Sequence, residues 1–529
     1  MNRREFLLSS SALVLALSST FSSIRPVNAA PLEAVIVLSS DETGAPHHDP
    51  IRGTVLSVAT DLIYDRLIAM SNEHTFHPHL AQSWQESEDG LTWTFQLKQN
   101  VRFHDGEPFN ADAIVWWISK FEGSANQHVS DAIDRVVVLD EHSVRFEMKR
   151  PDPNLLYNLA SYFMGIPSPK AYEAAGENFG VTVAVGTGAY KLESFAVGQE
   201  TVLVANEEYA WGSELSENKG APAIPRLVLR EIQDASTAFL EMNSGGADIL
   251  LGVPTEFVPQ LTANGEVELR NMRATGVSYL QFNSSAAPFS DPVLRQAVAL
   301  AVDQEPILKA VFSGSGATAH QFLVSSLEES KVKPELLIHN DVAKAKQLLD
   351  QAGWKPGADG IRSKDGAALK IKLWSTSETA YKRIAEIVQA QLRDVGFFVD
   401  ITLYDSASLR DALRQGEYDL VVSHYDWDNA DILSWFFSAK NIPHPNSTRW
   451  NNPVSEQLRE DAENGSRNWR ERVAKYTKYQ ENLLQNFVYV PLHEFEKTIA
   501  VNSSRLVVPK EIREVTLGSA TLLDTVWQL

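Results

Sequence analysis

The stretch "HYDWDNADILSWFF" (residues 424–437) sets three aspartates, Asp426, Asp428 and Asp431, among five aromatic rings, directly behind the apolar run "DLVVS". A carboxylate in a cleft that excludes water holds an ammonium group far more strongly than one on an open surface. The faces of Tyr425 and Trp427 attract the same cation. The same residues also admit a structural reading, in which the rings are core and Asn429 or Asp431 caps the helix "ILSWFF". A hard metal ion is disfavoured, because it needs several converging oxygens and the spacing is not that of a calcium loop.

Histidines give a second candidate chemistry. His47 and His48 stand beside Asp49, and "HTFHPH" carries His74, His77 and His79. Imidazole clusters bind transition metals, yet the 13 histidines contain no pair at helical i, i+4 spacing, so no metal site is expected. His104 and Asp105 look like an acid–base pair, but Asp105-Gly106 is turn chemistry. Nucleophile-elbow, P-loop, zincin and dinucleotide motifs are absent from the chain. No catalytic residue and no cofactor are therefore expected. A hydrolase built on paired carboxylates stays an alternative only because the chain has 68 acidic residues.

These residues need elements to position them. "LKIKLW" (369–374) reads as a strand, "SETAYKRIAEIVQAQLRDVG" as an amphipathic helix closed by Gly396, and "FFVDITLY" as an alternating strand. "SASLRDALRQG" then leads as a helix into "DLVVS", whose unbroken apolar character suits a strand covered on both faces. Strand, helix, strand, helix, strand predicts a parallel α/β sheet. Ligands of such sheets bind beyond the carboxyl ends of the strands. Trp374 ends one of those strands and "HYDWD" ends another. In the first half, "LEAVIVLSS" reads as a buried strand, "LTWTFQL" alternates strictly, and "DRVVVLDEHSVRFEMK" reads as a hairpin. Between them "NADAIVWWISKF" has helical spacing with Asn110 as its cap.

The amino terminus has a basic start, a short apolar stretch from Phe6 to Leu17 and a small-residue site at Val27-Asn28-Ala29. It predicts an export signal cleaved near Ala29, too short to span a bilayer. Arg3-Arg4 followed by Phe6 fits a twin-arginine signal, and also the general route. The chain has no cysteine, which excludes disulfides, thiolate metal sites and a lipidated cysteine. Net charge is -21, an acidity that argues against nucleic acid or anionic lipid as partner. Length alone points to more than one lobe or domain.

Further along, "HPHLAQSWQESEDGLTWTFQLKQNVRFHDGEPFNADAIVWWISKF" resembles the signature of the large solute-binding proteins of bacterial ABC importers, family 5, the peptide, opine and nickel-binding type. The matching residues include Pro78, Leu80, Ala81, Trp84, Val101, Phe103, His104, Asp105, Gly106, Pro108 and Phe109. The likeness continues in order through "DPIRGTVLSVATDLIYDRL", "VGTGAYKLESF", "YLQFNSSAAPFSDPVLRQAVALAVDQEPI", "AKAKQLLDQAGW" and "QGEYDLVVSHYDW".

The resemblance implies an α/β, two-lobed type II periplasmic-binding fold with an extra α+β domain in the first lobe. The first lobe would span residues 30–280 with the tail 498–529, the extra domain about 62–185, and the second lobe 283–497. Crossovers near "YLQFN" and "VPLHEF" would form the hinge. It implies a monomeric periplasmic subunit that closes on a small-molecule or oligopeptide ligand and delivers it to ABC permease and ATPase subunits.

Dipeptide-binding members place an Asp-Asn-Gly-Asp segment where this chain has Asp428-Asn429-Ala430-Asp431, which carries the amine-binding role onto Asp428. The expected cleft residues are then Asp428, Trp427, Tyr425 and Trp374, with Asn283 on the hinge side and His48 from the opposite lobe. One departure is that "LWSTSETAYKR" is shorter than the dipeptide binders' loop and lacks its arginine. A peptide-like or opine-like solute is expected, with a sugar conjugate or metal chelate in the same fold as the alternative.

Overall fold

The computed structural model describes residues 32–39, 45–272, 276–427, 429–514 and 517–528. The predicted export signal and Asp428 lie outside the described residues.

The described residues form two large sheets. The first has seven strands in the order Val267–Met272, Lys497–Asn502, Ile249–Leu251, Ala34–Leu38, Arg226–Glu231, Glu200–Ala205 and Tyr190–Ala196. Its centre is parallel and its flanks antiparallel. The second has six, in the order Ala317–Thr318, Tyr489–Glu494, Gly276–Phe282, Leu420–Asp426, Lys370–Thr376 and Phe398–Tyr404.

The predicted strand–helix units of the second half are present. Lys370–Thr376 runs parallel to both Phe398–Tyr404 and Leu420–Asp426. The helix Thr379–Asp394 buries Ile384, Val388 and Leu392 at i, i+4 and i+8. Gly396, at φ 102°, turns the chain into the next strand. Helix Ser406–Gln415 is capped by the Asp405 side chain and ends at Gly416 in the left-handed region.

The sheet is mixed rather than wholly parallel. Two strands distant in sequence, Gly276–Phe282 and Tyr489–Glu494, join it antiparallel to their neighbours. They carry the chain into and out of this lobe, which is why no local strand–helix pattern announces them.

All seven residues of Gly276–Phe282 are buried, and the strand lies between two partners of the second sheet. The chain therefore passes from one sheet to the other before Gly276, and the "YLQF" segment belongs with the second sheet. The return passes through Phe495 and Glu496, where Phe495 N–H donates to Gly276 O at 2.9 Å. Gly276 is required there, because a Cβ would stand 2.1 Å from Tyr425 O.

A four-stranded antiparallel sheet, in the order Ala81–Glu86, Thr92–Leu97, Ser143–Met148 and Ile133–Asp140, is backed by helix Ala111–Ser119. Asn110 caps that helix by accepting from Ala113 N–H at 3.1 Å. Its buried residues Phe95, Trp117 and Phe146 share one apolar cluster with Ile36, Leu227 and Ile499 of the first sheet. The extra domain thus has no separate core. The second lobe has its own cluster, around Leu280, Val388, Val422 and Leu492.

Candidate ligand site

Helix Val58–Ile63 is pressed against the turn "VGTGAY". A Cβ on Gly186 would lie 2.1 Å from Ile63 O, and one on Gly188 2.3 Å from Leu62 O. Only glycine permits this approach. The contact fixes the end of the helix and aims three charged residues, Asp61, Asp65 and Arg66, out of an otherwise apolar segment.

Asp65 is buried and accepts from Tyr209 Oη at 3.1 Å, Trp211 Nε1 at 2.9 Å and Thr187 Oγ1 at 3.0 Å, with His79 Nε2 at 3.1 Å. Burial works against its ionisation, but His79 and the donated hydrogen bonds outweigh it and hold the carboxyl below the usual carboxylate range. Asp65 is a structural anchor for the wall in front of it.

That wall carries Asp61, Arg66 and Glu514. Asp61 pairs with the Arg66 guanidinium and accepts from Ser519 N–H at 3.0 Å. Arg66 also donates to Ala160 O at 2.8 Å and lies 5.1 Å from the Tyr162 ring centroid. Glu514 accepts from Thr521 N–H at 3.1 Å and from its hydroxyl at 3.3 Å. Burial and the nearby Asp61 push the Glu514 carboxyl up to about 7, against the pull of Arg66.

These groups line a cavity of about 180 Å³ whose other walls include Met70, Tyr157, Phe163 and Trp427. Trp427 comes from the second lobe, one residue past the end of strand Leu420–Asp426. It stands beyond the carboxyl end of a parallel-paired strand, where ligands of such sheets bind.

A larger cavity of about 510 Å³ lies between Asn154 of the extra domain and Asp431 and Arg472 of the second lobe. Its charges largely satisfy one another: Arg472 pairs with Glu329 and Asp431, Lys440 with Glu463, and Arg467 with Glu471. The smaller cavity combines aromatic walls with two carboxylates, Asp61 and Glu514, of which Asp61 is paired with Arg66, the mix of apolar walls and a few converging polar groups that ligand sites have.

Of the described residues expected to line the cleft, the structure brings Trp427 to this cavity and places Trp374, Tyr425, Asn283 and His48 elsewhere. Trp427 is 46% exposed, whereas Trp374 and Tyr425 are 6% and 5% exposed. Trp374 sits under helix Ser406–Gln415 with Leu409, Leu413 and Tyr418, so it is core on the covered face of the sheet. Tyr425 lies four residues beyond Val421, the partner of Trp374, and therefore on the same face but nearer the strand end, where its hydroxyl donates to Phe322 O and its ring stacks on Phe322. Tyr425 is covered there by Phe322, and Trp427, just past the end of the strand, reaches the cavity.

Asn283 is buried at the opposite end of the strand from the crossing. Its Nδ2 donates to Gly416 O at 3.0 Å and Tyr418 O at 3.1 Å, tying a loop rather than facing a hinge. His48 is also buried. Its Nε2 is 3.1 Å from Thr201 Oγ1 and its ring packs on Phe195. Burial, helped by His47, lowers its pKa to about 4, so it is a neutral core histidine. Asp431 does not cap the helix Ile432–Phe437. It receives Arg472, Tyr476 and Asn154 instead, while Asn429 accepts the Asp431 N–H at 2.9 Å. Among the described residues no group of three or more potential ligands is placed to hold a metal ion.

Asp61, Arg66 and Glu514 escaped notice in the sequence. A signal was present in "LSVATDLIYDRLIAM", where three charges interrupt an apolar run. Charges so placed are buried with partners or face a site. Glu514 carries no such signal, because it comes from the tail and meets Asp61 only through the fold.

The family model of bacterial extracellular solute-binding proteins, family 5 (middle), matches residues 75–443, and the chain belongs to that family. Heme-binding protein A of Haemophilus influenzae is 26% identical over 487 residues, covering 84% of this chain and 83% of its own. The nickel-binding periplasmic protein of Escherichia coli K12 is 27% identical over 403 residues, covering 73% and 74%. Among solved structures, NikA from Brucella suis in complex with Fe(III)-EDTA shares the fold with a TM-score of 0.77 and 23% identity, covering 93% of this chain and 100% of its own. The family consists of two-lobed periplasmic binding proteins rather than enzymes. Among the described residues, no helix is long and apolar enough to cross a membrane.

Proposed function

We propose that this protein is the periplasmic substrate-binding subunit of an ABC importer for a small peptide-like or opine-like solute, taken up by closure of the two lobes. The observation that carries this reading is Trp427, which comes from the second lobe and walls a cavity otherwise lined by the first. A solute touching both lobes favours the closed state by its extra contacts there, and the closed form is what the permease receives. The names of relatives, which include heme-binding, nickel-binding and dipeptide-binding proteins, support solute uptake as the shared activity. Export by the amino-terminal segment, through the twin-arginine or the general route, and a monomeric subunit complete the proposal.

Native mass spectrometry of the protein purified from its own host tests it. The expected result is a single co-purified solute, released on denaturation and unchanged by prolonged incubation. Trp427→Ala should reduce affinity for that solute by about tenfold, equivalent to about 1.4 kcal/mol. Chemical turnover of the solute would replace the binding reading with the hydrolase one. Undiminished affinity in the variant would move the site away from this cavity.

A further inference from the structure

The first-lobe wall is asymmetric in charge. Asp61 and Glu514 converge on Gly518: a Cβ added there would meet Asp61 Oδ2 at 2.6 Å and Glu514 Oε1 at 2.8 Å. Two carboxylates of the cavity lining thus pack against the same glycine. The cation beside them is Arg66, and it is already committed to Asp61, to Ala160 O and to the Tyr162 ring. Arg513, next to Glu514 in the chain, turns away to Leu215 O and Glu217.

Behind the wall, Asp65 is fully engaged by His79, Tyr209 and Trp211. From helix Ser519–Leu523 the Ser519 N–H reaches Asp61, and the Ala520 and Thr521 donors reach Glu514. A ligand carboxylate brought to Arg66 would face both acids as well. An ammonium would meet them as counter-ions in a water-poor site, where a charge-assisted hydrogen bond is strong.

We propose that the cleft selects a compact organic amine, its ammonium group received between Asp61 and Glu514 and its body stacked against Trp427. This rests on the cavity being the solute site, and it assigns the amine contact to the first lobe. Amine selection carries a pH signature. Glu514, with its carboxyl at about 7, must be ionised to pair with the ammonium. Binding therefore releases a proton near neutrality, and affinity rises with pH.

Three probes of one shape separate the possibilities: tyramine, N-acetyltyramine and 3-(4-hydroxyphenyl)propionate, titrated calorimetrically into the intact mature protein. The expected order at pH 8 is tyramine tighter than either of the others by about tenfold or more. Tyramine affinity should fall by up to about tenfold between pH 8 and pH 6 as Glu514 takes up its proton. Glu514→Gln should weaken tyramine and flatten its pH profile.

Propionate binding as tight as tyramine, an unchanged tyramine affinity across this range, or binding by none of the three would overturn amine selection. The wild-type pH profile decides the matter even if Glu514→Gln fails to fold. Tyramine binding lost in Glu514→Gln but intact in Trp427→Ala would overturn the two-lobed cleft reading, and with it the stacked arrangement, while leaving the acid contact in place.

Discussion

Glu514 keeps its proton up to about pH 7 in the folded protein, whereas in the unfolded chain it ionises near the ordinary glutamate value of about 4.3. Between those values the native state binds the extra proton, so this group lowers stability as pH rises through the window. Urea midpoints measured from pH 5 to pH 7.5 should decline in the wild type, and less steeply in Glu514→Gln. Asp65 has the opposite sign, since its carboxyl is held below the usual range. The stability it contributes is present above the unfolded aspartate value and is lost as pH falls through its lower folded value. Asn283 gives a third residue-scale expectation. Asn283→Ala strands the buried Tyr418 carbonyl and the half-buried Gly416 one and should cost about 1–3 kcal/mol with no change in solute affinity. An altered affinity would return Asn283 to the site.

At the scale of elements, the strands of the second sheet decide which aromatic residue does what. Trp374 lies within Lys370–Thr376 and Tyr425 within Leu420–Asp426, so each is committed to a covered face, under helix Ser406–Gln415 in one case and against Phe322 in the other. Trp427 is one residue beyond its strand and free of both faces. Trp374→Ala should therefore cost about 3–5 kcal/mol, as for large aromatic truncations in a core. It should leave the ligand-induced change in tryptophan fluorescence intact, whereas Trp427→Ala should abolish most of it. The reverse pattern would mean that the strand end is differently placed. The run "LVVSHYDW" ends in the residue that reaches the cavity, whereas the strand of "KLW" contributes none to it. The step from edge to side chain failed, because alternation alone does not say which face a helix will cover.

At the scale of the whole molecule, the two lobes touch away from the crossings. Asn154 of the extra domain donates to Asp431 of the second lobe at 2.7 Å, and the Phe76 and Trp469 rings meet edge-on at 5.5 Å. Asp431 is held ready by Arg472, which is 1% exposed and also pairs with Glu329. This contact favours closure. Asn154→Ala should shift the open–closed balance toward the open form, seen as a larger radius of gyration by small-angle scattering without solute. Solute affinity should fall by a few-fold, the loss of about 0.5–1.5 kcal/mol of hydrogen bonding. Unchanged scattering and affinity would leave the contact without a role in closure. Arg472→Met should instead destabilise the fold by about 3–5 kcal/mol, because it leaves Glu329 buried without its counter-ion.

The sequence by itself determined the local elements, the parallel-paired strands 370–376, 398–404 and 420–426, the Asn110 cap and the sheet edge that bears Trp427. Periodicity and capping are written in neighbouring residues, and so they can be read there. Family membership was equally legible, because its motifs run in order along the chain. Only the tertiary structure decided that Gly276–Phe282 joins the second sheet and that Asp431 serves the lobe contact. The same holds for the meeting of Asp61 and Arg66 with Glu514, more than four hundred residues away in the chain. Such encounters depend on which faces are buried against which partners. Burial and charge compensation are properties of the assembled core, and no spacing along a chain encodes them directly.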